Sequence, residues 1–166
     1  MESPHERLIR HLRENGVPFR TMEHEAEGRS EHVARIRGTK PSQGMKAIVV
    51  GLRGGGSGKD KRYVLAVLPG DRKLDMKALR QACQAQKASF VDAETLSELT
   101  GGCVAGTVPP FSFNEGMPLI VDNAVRRNTE VCFNAARLDR SVFMTIDAYL
   151  ALTNPRMADF SLPPEA

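Results

Sequence analysis

Met45-Lys46-Ala47-Ile48-Val49-Val50-Gly51-Leu52, a bridge Arg53-Gly54-Gly55-Gly56-Ser57-Gly58-Lys59-Asp60, and Tyr63-Val64-Leu65-Ala66-Val67-Leu68 form the stretch on which the fold depends. Two runs rich in β-branched and aliphatic residues flank a glycine-rich connection, so they predict two strands paired antiparallel as a hairpin. One residue breaks the pattern. Lys46 puts a cation where a strand entering a core would take Val or Ile, and a half-buried ammonium is costly unless an anion meets it. The position asks for a carboxylate, a phosphate or a ligand. A structural salt bridge, or an amine that reaches along its stem to the surface, satisfies the physics equally well.

The bridge is not a phosphate-binding loop. That motif requires glycine five positions before Gly58, where Arg53 stands, and Ser or Thr after Lys59, where Asp60 stands. It also joins strand to strand, so a flexible hairpin tip is the better reading.

Towards the N-terminus, Ser3-Pro4-His5-Glu6 reads as a capping box with proline at the first helical position. Leu8, Ile9 and Leu12 give that helix an apolar stripe, which Gly16 closes. Phe19 to Glu23 alternates like a short strand. A second helix is expected from Ser30 to Gly38, with Val33 and Ile36 facing inward. Beyond the hairpin, Asp75 caps a helix carrying Met76, Leu79 and Cys83, and Asp92 caps another with Leu96 and Leu99 that ends at Gly101-Gly102. Leu119 to Val121, Glu130 to Asn134 and Ser141 to Thr145 read as strands, and Asp147 begins a last helix. The polar, proline-bearing tail from Pro155 to Ala166 is expected to fray. Helices and short strands interleave without a strict βαβ rhythm. The expected fold is therefore α+β, with helices around a mixed, mostly antiparallel and barrel-like sheet.

At 166 residues the chain has the length of a single domain, spanning 1–166. Cys83, Cys103 and Cys132 are odd in number and widely spaced, which suits reduced thiols in a cytoplasmic protein. The charged start does not read as a signal or transit peptide, and no run of about 18 apolar residues suggests a membrane span. The net charge of +3 names no partner. Its distribution says more: Arg29, Arg35, Arg37 and Lys40 precede Lys46, while Arg53, Lys59, Lys61 and Arg62 surround the glycine-rich bridge. Such a sector suits a polyanion such as RNA, or is a solvated charged face.

Gly102-Cys103-Val104-Ala105-Gly106-Thr107-Val108-Pro109-Pro110-Phe111 is a small-residue loop stiffened by two prolines. His5, His11, His24 and His32 show no zinc spacing, so neither a metal site nor a cofactor is expected. Cys103 and Cys132 read as small buried hydrophobes rather than nucleophiles. Asp122 caps a turn or assists a site, Ser141 is a strand-edge hydroxyl or a substrate contact, and Asn134 holds a loop as a buried amide or binds substrate.

The ordered set Gly16-Val17-Pro18-Phe19, His24-Glu25-Ala26, Gly44-Met45-Lys46-Ala47, Val67-Leu68-Pro69-Gly70-Asp71, Leu99-Thr100-Gly101, Gly106-Thr107-Val108-Pro109-Pro110 and Asp122 resembles the YbaK/ProX superfamily of aminoacyl-tRNA deacylases. That superfamily is related to the editing insertion of bacterial prolyl-tRNA synthetases. Ile36-Arg37-Gly38-Thr39, Pro109-Pro110-Phe111-Ser112-Phe113 and Phe133-Asn134-Ala135 are most similar to its YeaK-like free-standing branch. The resemblance implies a catalytic role for Lys46, near the terminal adenosine and its phosphate. It also implies an aminoacyl pocket lined by Gly106, Thr107, Val108, Pro109 and Pro110, whose backbone holds the substrate amino group. Met45, His24, Asp122, Asn134 and Ser141 join them as substrate-binding candidates.

The implied activity is hydrolysis of the ester of mischarged tRNA, acting apart from a synthetase. Serine or threonine is favoured over alanine, because some alanine-specific relatives carry histidine within the segment that here reads Cys132 to Ala136. The expected partner is mischarged tRNA, with an aminoacyl-tRNA synthetase a second candidate. An activated acyl ester needs chiefly a positioned water, an anchored α-ammonium and favourable electrostatics, so no Ser-His-Asp set is required. Two other readings stay open: a noncatalytic tRNA- or synthetase-binding module of the same fold, and a hydrolase of a small free ester.

Overall fold

The computed structural model describes residues 1–55 and 61–164. In chain order the elements are α1 (Pro4–Glu14), β1 (Arg20–Glu23), α2 (Ser30–Arg37), β2 (Met45–Arg53), β3 (Lys61–Pro69), β4 (Lys73–Leu74), α3 (Met76–Ala82), β5 (Lys87–Phe90) and α4 (Ala93–Thr100). These are followed by β6 (Leu119–Asp122), β7 (Glu130–Asn134), β8 (Arg140–Thr145), α5 (Ile146–Thr153), β9 (Arg156–Ala158) and β10 (Ser161–Leu162). Most of the expected flexible tip, residues 56–60, lies outside the described residues.

The hairpin forms as its pattern dictates. β2 and β3 pair antiparallel without a break from Met45↔Pro69 to Arg53↔Lys61. β5 adds antiparallel to the free side of β2, β6 runs parallel to β3, and β9 runs parallel to β6, giving the order β5-β2-β3-β6-β9. A second sheet, β1-β8-β7, is wholly antiparallel. The mixed, mostly antiparallel expectation holds. The barrel-like one does not: no sheet among the described residues closes, because the chain divides its strands between separate sheets. The two larger sheets touch at a single bridge, Gly44↔Cys132, immediately before β2.

Local signals set the helices. In α1 the Ser3 hydroxyl accepts from the Glu6 amide and the Glu6 carboxylate accepts from the Ser3 amide. Leu8 and Leu12, one turn apart, are fully buried, each worth about 1.5–3 kcal/mol of burial. Asp75 and Asp92 cap α3 and α4 through the amides of Ala78 and Thr95. The last helix starts one residue earlier than expected, because Thr145 rather than Asp147 provides the cap. α2 ends at Gly38 in the left-handed conformation, as the sequence indicated. Its inner face differs: Ile36 is exposed, and Val33 and Arg37, four residues apart, point inward.

The C-terminal tail is not frayed over its described length. β9 and β10 pair with β6 and β4, and between them Phe160 is fully buried with Val50, Leu68 and Leu79. Polar and proline-rich flanks concealed one anchoring aromatic. The Asp122 carboxylate fixes it by accepting from the Phe160 amide at 2.8 Å and from the Ser161 hydroxyl at 2.7 Å.

Candidate active site

Where the two sheets meet, a cleft of about 210 Å³ opens between the start of β2, helix α2 and the loop that follows α4. Met45, Lys46, Arg37, Gly106, Val108 and Asn134 are among its walls. The Lys46 amine is half-buried, and burial pushes its pKa below the ordinary lysine value, with Asp71 pulling weakly the other way. The Asp71 carboxylate is itself held by Arg127 at 2.7 Å. Among the described residues Lys46 makes no hydrogen bond or ion pair, so a structural salt bridge does not explain it. Lys46 lines the cleft with Asp71 as the one acid acting on it, and at a distance.

Arg37 is a second cation in the same wall and is only 8% exposed. Its partners are all neutral: Nε donates to Ser141 Oγ at 2.8 Å, one terminal nitrogen donates to Asn134 Oδ1 at 2.9 Å, and the other lies 3.6 Å from Cys132 Sγ. Burial lowers its pKa as well. With two cations and no carboxylate in its lining, the cleft is an electropositive hollow, and an entering anion would offset desolvation that the neutral partners of Arg37 and the weak pull of Asp71 on Lys46 meet only in part.

The polar partners form a directed chain. His24 Nδ1 lies 2.8 Å from the Glu25 carbonyl, which can only accept, so that nitrogen carries the proton. His24 Nε2 then accepts from the Ser141 hydroxyl at 2.7 Å, while Ser141 Oγ accepts from Arg37. Beyond Arg37, the Asn134 amide donates to the Gly106 carbonyl at 2.8 Å. The chain thus runs from β1's end through β8, α2 and β7 to the loop. Gly106 has φ +84°, a left-handed conformation that favours glycine, and Asn134 holds its carbonyl in place.

The sequence candidates separate accordingly. Met45, Lys46, Gly106, Val108 and Asn134 come together around the cleft. Ser141 is fully buried and holds Arg37 from behind the wall; His24 is only partly buried, lies outside the cleft lining and reaches Arg37 through Ser141. Thr107 is 4% exposed and its hydroxyl donates to the Val104 carbonyl at 2.7 Å, inside the loop. Pro109 and Pro110 lie outside the cleft lining; the Pro110 carbonyl accepts from the buried Tyr149 hydroxyl at 2.6 Å, which pins the loop to α5. Asp122 belongs to the tail anchor and also caps the Ala124 amide at 3.0 Å.

Two polar side chains of the cleft, Arg37 and Ser30, escaped the sequence reading. Arg37 was counted in a basic run, although its spacing from Val33 places it on the inner face of α2. Ser30, the first residue of α2, also lines the cleft, and among the described residues its hydroxyl has no hydrogen bond. A larger hollow of about 390 Å³ lies behind the same loop. Its charges are mixed, Arg7 with Glu98 and Glu115, and Arg7 is already bound to the Thr100 carbonyl and stacked on Phe113. The cysteines are buried and free, and burial raises all three thiols, the reverse of what a nucleophile needs.

A family model described as the aminoacyl-tRNA editing domain matches residues 24–152, a span that holds every cleft residue named above. The chain is 39% identical over 157 residues to the multifunctional Ser/Thr-tRNA deacylase ProXp-y of Escherichia coli, covering 94% of this chain and 92% of that one. It is 25% identical over 156 residues to the proposed Cys-tRNA(Pro)/Cys-tRNA(Cys) deacylase EbsC of Enterococcus faecalis, covering 92% and 91%. A crystal structure of a proposed trans-editing enzyme for prolyl tRNA synthetase superposes with a TM-score of 0.82 at 22% identity, covering 98% of this chain and 99% of that one, which shows a shared fold.

Proposed function

The chain belongs to the aminoacyl-tRNA editing domain family, and from that premise we propose that it hydrolyses the ester joining a wrongly attached amino acid to the 3′ end of tRNA. Serine and threonine are the favoured acyl groups, with alanine a further candidate, and the reaction runs in trans in the cytoplasm. The observation that carries this reading is Lys46, without a hydrogen bond or ion pair among the described residues, in a cleft whose lining holds no acid and includes Gly106.

In the reaction a water adds to the ester carbonyl, charge gathers on the carbonyl oxygen, and the bond to the ribose oxygen breaks as that oxygen takes up a proton. Amino acid and tRNA are the products. Lys46 supplies positive charge to the anionic end of the RNA and to the developing oxyanion, in a partly dry site where that charge acts strongly. The Gly106 carbonyl bonds Asn134 through one lone pair and keeps the other for the substrate's α-ammonium. Ser30 offers an uncommitted hydroxyl to a hydroxylated side chain. Such a second sieve is useful because one methyl or hydroxyl is worth only about 1–3 kcal/mol in a synthetase pocket.

The test charges tRNA with serine, threonine, alanine or proline and follows ester loss. Wild type is expected to release serine and threonine fastest, and Lys46→Ala to slow release by roughly 10²–10³-fold, the scale of losing one electrostatic contact to the transition state. If neither protein releases any amino acid although both bind the RNA, the deacylase reading fails and a binding module replaces it.

A further inference from the structure

Far from the cleft, three cations stand in register. Arg53 pairs directly with Lys61 across β2 and β3, and with Lys87 across β2 and β5. Directly opposed residues of antiparallel strands share a face, so Lys87, Arg53 and Lys61 form one transverse row, and all three are exposed. Like charges placed opposite one another destabilise a sheet. Among the described residues none of the three has an ion pair; Lys61 sits 5.6 Å from the Tyr63 ring centroid.

The next row on the same face is Ser89, Gly51 and Tyr63. Gly51 leaves the floor low, and a hollow of about 190 Å³ forms there with the Tyr63 ring at one side and Arg53 and Lys61 at its mouth. Asp92 is the acid in that lining; its carboxylate caps α4 and, more weakly, feels the charge of Lys61 without forming an ion pair with it. A lysine on an edge strand can serve simply to deter pairing with another sheet, and Lys87 on β5 fits that duty. Arg53 is paired on both sides, by Lys61 and by Lys87, where no such guard is needed; Lys61 stands at the end of β3 that β6, paired only over Leu65 to Val67, does not reach.

We propose that the Lys87–Arg53–Lys61 row is a second RNA-binding surface, which takes the sugar-phosphate backbone of the substrate tRNA away from its esterified end, with Tyr63 available to a base or ribose. This rests on the reading of the cleft as a tRNA deacylase site. Arg53 is seven residues beyond Lys46 on the same strand, about 23 Å at the strand rise of ~3.3 Å per residue. That span exceeds what one terminal nucleotide in the cleft can cover, and the odd spacing puts the row on the strand face opposite Lys46, so it is the body of the RNA and not its esterified end that the row would take. A linear array of cations flanked by an aromatic ring is the chemistry that tracks a phosphate backbone without reading sequence.

The experiment compares wild type with the triple variant Arg53→Ser, Lys61→Ser, Lys87→Ser in two assays. Binding of fluorescently labelled uncharged tRNA is measured across a salt series, and ester hydrolysis is measured on a short aminoacylated CCA-ended fragment that cannot reach the row. The variant is expected to bind tRNA at least about tenfold more weakly, with its salt slope lowered by roughly 2–3, since each phosphate contact contributes about 0.7–0.9. Hydrolysis of the fragment should be unchanged. Equal affinity and equal slope for the two proteins overturn the proposal, as does equal loss of fragment hydrolysis, which would signify general damage. If wild type hydrolyses no charged RNA, the deacylase reading fails, while the binding series still decides whether the row holds RNA.

Discussion

Arg37 carries a charge into the cleft wall and meets only neutral atoms there, so its fork of donors organises the wall. Ser141 and Asn134 are both held by it, and through Asn134 the Gly106 carbonyl is held too. Arg37→Met removes the donors to Ser141 and Asn134 and leaves the buried Ser141 oxygen without one of its partners, at about 1–3 kcal/mol, while the partly exposed Asn134 can turn to water; removal of a desolvated charge offsets part of this. Arg37→Lys keeps the charge but loses the planar fork. In kinetic assays on seryl-tRNA both variants are expected to lose kcat more than KM, by ten- to a hundredfold on the order of what a ~1 Å misplacement costs. Urea denaturation separates this from unfolding: the lysine variant should retain most of its stability and still be slow, and full activity in that variant would reduce Arg37 to a packing element. Lys46 was legible because a cation interrupts an apolar run. Arg37 was not, because it stands among other basic residues and only its helical phase with Val33 distinguishes it. Ser141 and His24 belong to the site, but the sequence could not show that they bear on Arg37 instead of on a ligand.

Elements whose signals are local were read well, and elements defined by distant pairing were not. The capping residues Ser3, Asp75 and Asp92 act within three residues of themselves, and their helices begin where the sequence indicates. β4, β5, β9 and β10 are two to four residues long and acquire their identity from partners far along the chain. No short window of sequence contains that information. The tail is the sharpest case, since Phe160 has polar neighbours and proline on both sides and is nonetheless a core residue. Phe160→Ala is expected to cost about 3–5 kcal/mol, the range for truncating a buried aromatic. Denaturant unfolding measures it, and a loss below about 1 kcal/mol would mean that β9 and β10 are held by their backbone pairing alone. The variant should retain hydrolysis at low temperature, because the tail packs under α3 and does not line the cleft.

For the whole molecule, a net charge of +3 conceals how unevenly charge is matched. Arg10 pairs with Glu2, Arg29 with Glu27, Arg127 with Asp71 and Arg137 with Asp139, all on the outside. Among the described residues Lys46, Arg37 and the Lys87–Arg53–Lys61 row make no ion pair, so the two places where an RNA is proposed to sit both keep cations that no carboxylate holds. Composition shows the sum, and only the fold shows which cations lack partners. An RNA that binds the folded state and not the unfolded chain stabilises it by about 2.7 kcal/mol when present at 100 times its Kd. At this chain length that corresponds to a rise in Tm of roughly 5–10 °C. Thermal unfolding with uncharged tRNA should show that rise at low salt and lose most of it at moderate salt, since release of counterions drives the binding. A rise that persists unchanged as salt increases would mean that the contacts are not with phosphates, and the unmatched cations would then need a different anion.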